Sequence, residues 1–171
     1  MKARFVAVVV GVLGLVSVGG ASAAPTSTTF SVVGYEYAFT STVGCFAGTA
    51  SGDAGDRGTW SACVQHDRLG SNPTYIDGGS VALATSGPTD PLDAVTGRFV
   101  YHGGTITTID PGSGCMNQKY LVKGTLQDVA TTTTSDGTGT FSAILTHYRY
   151  SFFGTCVIYK AKVVGTVSFA Y

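Results

Sequence analysis

Charged residues are scarce in this sequence. They make up 12% of the 171 residues, and the 10 basic residues balance the 10 acidic ones. A chain without excess positive charge has no electrostatic footprint for nucleic acid, so we expect no nucleic-acid partner. Glutamate occurs once, as Glu36, and tryptophan once, as Trp60. The hydrophobic share of 44% is ordinary for a folded domain and excludes a disordered chain.

Sequence motifs for cofactors and for catalysis are also missing. The chain contains no nucleophile elbow, phosphate-binding loop, dinucleotide-binding fingerprint or zinc-protease motif. Its cysteines and histidines show neither CxxC nor HxxxH spacing, which are common in zinc sites. We therefore expect no cofactor and no metal, and the residues indicate no particular family.

The N-terminal segment has the three parts of an export signal. Lys2 and Arg4 precede an apolar run, and the small residues of Ala21-Ser22-Ala23 follow it. The run is shorter than the ~20 residues that span a membrane and is interrupted by glycine, which disfavours a membrane anchor. We predict that 1–23 is a signal peptide and that 24–171 is a single secreted β domain.

The four cysteines lie in the predicted mature chain. Four cysteines in an exported protein indicate two disulfides, with three possible pairings. A hairpin that turns at Ala54 places Cys45 directly opposite Cys63, where the Cβ atoms are ~4.5–5.5 Å apart and a disulfide can form. Cys115 then pairs with Cys156, since each precedes a long strand at the same end of the sheet.

The rest of the sequence has the two-residue period of β-strands and no helical period of useful length. In the C-terminal run, the odd-numbered residues from Val157 to Tyr171 form one face, and Gly154-Thr155 separates this run from the alternating segment Phe141–Phe153. We predict an all-β fold, an antiparallel barrel of eight or nine strands that rise and fall in chain order. A two-sheet sandwich is the alternative, but it leaves strand edges exposed.

Glycines mark two local features of the predicted strands. Gly103-Gly104 separates two strand-like segments, 97–102 and 105–109, and predicts a hairpin turn between them. Gly34 interrupts the side-chain alternation of the first mature strand, Thr28–Thr40, and predicts a β-bulge there.

The candidate binding residues are Glu36, His147, Arg149 and Trp60. His147 and Arg149 are two residues apart, so they share a strand face, and the other residues of that face are mostly apolar. A histidine and an arginine inside a barrel need compensation, and a closed barrel brings Glu36 on the first strand close to the last strands. We therefore expect Glu36 to pair with both and to raise the His147 pKa. In the alternative interpretation, both side chains reach solvent at a strand end.

The other ring-bearing residues carry less information. Trp60 is expected in the core or at the mouth of the barrel. His66 follows the face formed by Trp60, Ala62 and Val64 and, like His102, is interpreted as a histidine at a strand end.

Three classes of function fit these features. The leading one is a secreted, non-catalytic barrel that binds a small apolar or amphipathic molecule or a protein. The second is a cofactor-free enzyme, such as an isomerase or cyclase, with its site inside the barrel. The third is a small outer-membrane barrel, because the chain ends in Phe169-Ala170-Tyr171 on an alternating strand.

The export signal makes a direct prediction about the mature protein. N-terminal sequencing of secreted material should begin at Ala24, because signal peptidase reads small residues such as Ala21 and Ala23 before the cut. A mature protein that retains Met1 would contradict the prediction.

Overall fold

The computed structural model describes residues 27–52, 55–68, 70–86 and 94–170. The predicted signal peptide lies outside the described residues. Those residues form eight strands: β1 Ser27–Phe39, β2 Val43–Gly52, β3 Arg57–His66, β4 Thr74–Ser86, β5 Ala94–Asp110, β6 Gln118–Ala130, β7 Gly137–Phe152 and β8 Thr155–Ala170. In this part of the chain, no helix is long and apolar enough to cross a membrane.

The strands close into one barrel. Each strand pairs antiparallel with the next, and β1 also pairs with β8, from Ser27 opposite Ala170 to Tyr35 opposite Lys162. The predicted barrel is confirmed with eight strands, and the sandwich is excluded. Closure gives every strand two neighbours, so no strand is a sheet edge along its whole length.

The two ends of the barrel differ in how they are filled. Inward residues near the end that carries the β2–β3, β4–β5 and β6–β7 connections form most of the tightly packed core, and we call this the filled end. Its largest buried side chains include Val32, Leu83, Leu126, Val129, Val167 and Phe169. We call the other end, with residues 40–42, 111–117 and 153–154, the open end.

Both predicted disulfides are confirmed, and both lie towards the open end. Cys45 and Cys63 are directly opposed on β2 and β3, with Cα atoms 4.1 Å apart. The register of this hairpin is the one that a turn at Ala54 predicts. Cys115, in the β5–β6 loop, is joined to Cys156 near the start of β8. The second disulfide therefore ties a loop of the open end to the barrel wall.

Gly34 does not form the predicted bulge. The pairing of β1 with β2 runs without a shift through Gly34, and the irregularity lies between Glu36 and Ala38. Gly34 instead makes room for Trp60: a Cβ atom there would lie 2.7 Å from the Trp60 ring and 2.6 Å from the Ala47 carbonyl oxygen. The Trp60 indole is buried and donates a hydrogen bond of 3.1 Å to the Val33 carbonyl.

Gly103-Gly104 does not form the predicted hairpin turn. β5 continues through both glycines, and its pairing with β6 shifts between Phe99 and Gly104. A Cβ atom on Gly104 would lie 2.6 Å from the Gly124 Cα atom, so the glycines permit a close approach of β5 and β6. Glycine pairs favour turns, but Gly103 and Gly104 lie within a long strand, where its pairing with β6 is irregular.

The contact between Gly34 and Trp60 predicts a mutational effect. Gly34→Ala should lower the free energy of unfolding by about 2 kcal/mol, because the added methyl group overpacks the core. The fluorescence of Trp60, the sole tryptophan, should change with it. Gly70→Ala is the control, since the same methyl group would meet nothing closer than 3.8 Å. Equal stability of the two variants in urea would refute this packing role of Gly34.

Candidate functional site: a cavity at the open end

A cavity of about 470 Å³ occupies the interior at the open end. Residues from β1, β2, β3, β5, β6, β7 and β8 line it, and most of the lining is apolar. The apolar residues are Phe39, Val43, Phe46, Val64, Ile106, Val122, Leu145, Val157 and Ile158, and the polar ones include Glu36, Thr40, His66, Tyr120 and His147. The seam between β1 and β8 is unpaired here, because their pairing stops at Tyr35 and Lys162.

Glu36 supplies a carboxyl group to this cavity. It is half-buried on β1, opposite Phe46 on β2. Gly44 gives the carboxyl group its space, since a Cβ atom there would lie 3.0 Å from Glu36 Oε1. Within the described residues, Glu36 forms no hydrogen bond and no ion pair. Burial raises the pKa of Glu36 from 4.5 to about 6.

His147 is the most unusual polar group of the cavity. It is 9% exposed, and neither ring nitrogen has a hydrogen-bond partner among the described residues. The nearest aromatic ring is that of Tyr120, with the two ring centroids 5.2 Å apart. Burial, and secondarily the positive charge of Arg149, lower the pKa of His147. The neutral ring therefore offers one donor and one acceptor nitrogen that the protein leaves unused.

The predicted pairing of Glu36 with His147 is only partly correct. The two residues line the same cavity, as the closed barrel requires. They form no hydrogen bond, however, and the expected rise of the His147 pKa is wrong. The reason is that desolvation in an apolar cavity disfavours the charged imidazole, and no carboxylate contact offsets it.

Arg149 has a different partner from the one predicted. Its Nε donates to the Met116 carbonyl at 2.8 Å, and its Nη2 donates to the carbonyls of Met116 at 2.6 Å and Gly112 at 3.2 Å. Loop carbonyls, not Glu36, thus compensate the guanidinium group, and Arg149 is absent from the cavity lining. Together with the Cys115–Cys156 disulfide, Arg149 fixes the β5–β6 loop at the open end.

His66, and not the predicted Trp60, lies at the site. Trp60 belongs to the core and does not line the cavity, whereas His66 is buried and does. The Nδ1 of His66 lies 2.7 Å from the Asp67 carbonyl oxygen, so Nδ1 carries the proton and Nε2 is an acceptor in the neutral ring. The signal for His66 is present in the sequence, because it continues the inward face of Trp60, Ala62 and Val64.

Tyr120 is a second lining residue that sequence reasoning missed. Its hydroxyl donates to Gln118 Oε1 at 3.1 Å. Burial raises the pKa of Tyr120, and the charge of Arg149 partly opposes that rise. The tyrosine is therefore a neutral aromatic wall of the cavity.

One further polar cluster lies outside the cavity. Asp67, Asp77 and His102 bring potential ligand atoms within 4.8 Å of one another, and His102 Nε2 lies 3.2 Å from Asp77 Oδ1. Two of the three residues are exposed, and nothing else at this cluster indicates a ligand. Among the residues that the structure describes, the polar groups that line the cavity do not form such a group of three potential metal ligands.

Comparison of the chain with protein-family models, with curated proteins and with solved structures finds no match. The fold and the site define the class of the protein in structural terms. It is a closed eight-stranded antiparallel barrel, held by two disulfides, with an apolar cavity at one end. Architecture of this kind serves many functions, so the chemistry of the cavity must carry the functional argument.

The raised pKa of Glu36 makes stability depend on pH. The folded carboxyl group keeps its proton up to about pH 6 and the unfolded one up to 4.5, so the wild type loses stability as the pH rises through this window. Glu36→Gln should match the wild type below the window and exceed it by about 1 kcal/mol above it, a value reduced for solvent screening.

Asp136→Asn is the matched control, because it removes an exposed carboxyl group beyond the filled end. Urea unfolding of the three proteins as a function of pH makes the measurement. A difference between Glu36→Gln and the wild type that stays constant with pH would show that Glu36 is not desolvated in the fold.

Proposed function

We propose that the protein is a secreted binding protein that takes a small, largely apolar molecule into the cavity at the open end. The observation that carries this proposal is His147, buried with two unused ring nitrogens in an apolar cavity. Folded proteins rarely leave a buried polar group without a partner, because its desolvation costs about 1–3 kcal/mol. A ligand with a hydrogen-bonding group would supply that partner.

The size and composition of the cavity support a small molecule as the ligand. Its volume of about 470 Å³ lies within the range of roughly 300–1,000 Å³ that is typical of ligand pockets. Such pockets combine apolar walls with a few convergent polar groups, as here. The cavity itself suits a small molecule, since a protein partner binds over an extended surface.

Export of the protein is part of the proposal. Two intramolecular disulfides are typical of an oxidising, extracellular-type environment. The N-terminal sequence supplies the second argument, since it has the order of charged, apolar and small residues of a signal peptide.

The apolar interior favours a barrel that water surrounds over an outer-membrane barrel. On β6, Val122, Gly124 and Leu126 are buried, and they alternate with the exposed Lys123 and Gln127. Outer-membrane barrels enclose a polar interior, whereas most of the buried side chains of this barrel are hydrophobic.

A cofactor-free enzyme that moves a proton is the second candidate function. The observation that favours it is the carboxyl group of Glu36, whose pKa of about 6 is close to the range in which a general base works at neutral pH. Native mass spectrometry of protein purified from its own culture medium distinguishes the two functions. A binding protein returns its bound molecule unchanged, whereas an enzyme converts added compound of the same kind.

Filling the cavity should abolish binding. Val122→Phe places a larger ring in the lining and should weaken the binding of the fluorescent probe N-phenyl-1-naphthylamine at least about tenfold, the scale of steric exclusion from an apolar pocket. Val164→Phe is the control, because it makes the same change at an exposed position of β8. Failure of the probe to bind the wild type, or equal binding to both variants, would contradict the proposed function.

A further inference from the structure

The polar groups of the cavity restrict the chemistry of its ligand, and this inference rests on the proposed function. Glu36 is a pure acceptor when it is ionised, and the neutral ring of His147 offers one acceptor nitrogen. Among the residues that the structure describes, no lysine or arginine lines the cavity. The cavity thus holds a carboxyl group and the imidazole rings of His66 and His147, with no lysine or arginine among the described lining residues.

Two cations on the last two strands, Arg149 and Lys160, have partners other than Glu36. The Arg149 guanidinium donates to the carbonyls of the β5–β6 loop. On β8, the Nζ atom of Lys160 lies 4.3 Å from the centre of the Tyr35 ring, and Tyr35 is exposed on the outward side of β1. Neither group forms an ion pair with Glu36, so its negative charge remains uncompensated within the described residues.

An uncompensated carboxylate in an apolar cavity selects a positive ligand group. A ligand carboxylate would meet a like charge, which is unfavourable in a low-dielectric site. A hydroxyl group can donate one hydrogen bond to Glu36 but leaves the charge unbalanced. An ammonium group provides both donors and charge, and the rings of Phe46 and Tyr120 on the cavity wall can add cation–π attraction.

From these contacts we infer that the cavity binds an amphipathic amine, with its ammonium group at Glu36 and its hydrocarbon part along Val122 and Leu145. The Glu36 carboxyl group lies over Gly44, and both residues line the cavity, so the head group can meet the carboxylate at the cavity wall. The apolar lining that surrounds it receives the hydrocarbon part.

This assignment makes binding dependent on pH. The ammonium group interacts with the ionised form of Glu36, so affinity falls as the pH drops through about 6 and the carboxyl group gains its proton. Other titratable groups face the same space: His66 from β3, Tyr120 from β6 and His147 from β7. The lining residues of β2 are Val43, Gly44 and Phe46, none of which titrates. Protonation of either histidine would weaken cation binding further, so a variant of Glu36 must separate the contributions.

The experiment compares three ligands with the same hydrocarbon chain: decylamine, decan-1-ol and decanoate. Each displaces N-phenyl-1-naphthylamine from the mature, disulfide-bonded protein at about pH 7.5 and about pH 5, a range in which the amine stays protonated. At the higher pH, the wild type should bind decylamine at least about tenfold more tightly than the other two, the scale of one charge-assisted hydrogen bond. This preference should shrink at the lower pH.

Variants locate the preference in the cavity. Glu36→Gln keeps the shape of the side chain and should lower the affinity for decylamine about tenfold, while the affinity for decan-1-ol changes less than about twofold. Asp136→Asn removes one negative charge beyond the other end of the barrel and should change neither.

Each contrary outcome has a distinct meaning. Decanoate or decan-1-ol binding as tightly as decylamine to the wild type, or unchanged decylamine affinity in Glu36→Gln, would overturn the assignment of an amine and leave the proposed function intact. Absence of binding by the fluorescent probe and by all three ligands would overturn the proposed function itself.

Discussion

The hydrogen-bonded pairing of β1 with β8 is the contact on which the rest of the structure depends. It turns eight sequential hairpin-linked strands into a barrel, so the inward residues of every strand face one shared interior. The same pairing stops at Tyr35 and Lys162, before the ends of the two strands. The cavity lies beyond that point, and Glu36 is the first residue of β1 past the last β8 contact. The β1–β8 pairing therefore closes the barrel over most of its length, and its end at Tyr35 and Lys162 leaves the cavity beyond it.

An interior with a cavity at one end lacks packing there, and covalent and polar links hold that end together. Close-packed side chains stabilise the filled end by burial and dispersion. At the open end, two disulfides restrict the chain, each by about 2–4 kcal/mol. The hydrogen bonds of Arg149 to the β5–β6 loop add to them. Stability at this end thus needs no side chains in the cavity, which leaves that space free for a ligand.

Much of the fold could be predicted from the sequence because its signals are local. A two-residue period assigns each residue to one face of a strand and places His147 on the inward face of β7. The face of Glu36 was decided by the structure, because the bulge predicted at Gly34 is absent and the shift lies beyond Glu36. A turn at Ala54 sets the register of its hairpin and hence the disulfide between Cys45 and Cys63. On β3, the same parity assigns His66 to the inward face of Trp60, Ala62 and Val64. No sequence pattern, however, indicates that His66 lines a cavity.

Local pattern and composition thus determined the all-β class and the disulfide pairs, and they favoured the barrel over the sandwich. Only the tertiary structure decided which groups compensate one another, because loop carbonyls and burial depth have no sequence pattern. Arg149 donates a hydrogen bond to a loop carbonyl 33 residues away in sequence, a contact that no strand periodicity predicts. Because Arg149 contacts the loop, Glu36 and His147 have no hydrogen-bond partners among the described residues. Desolvation inside the closed barrel raises the pKa of Glu36 and is the main cause that lowers the pKa of His147. This desolvation is a property of the whole fold and not of any segment.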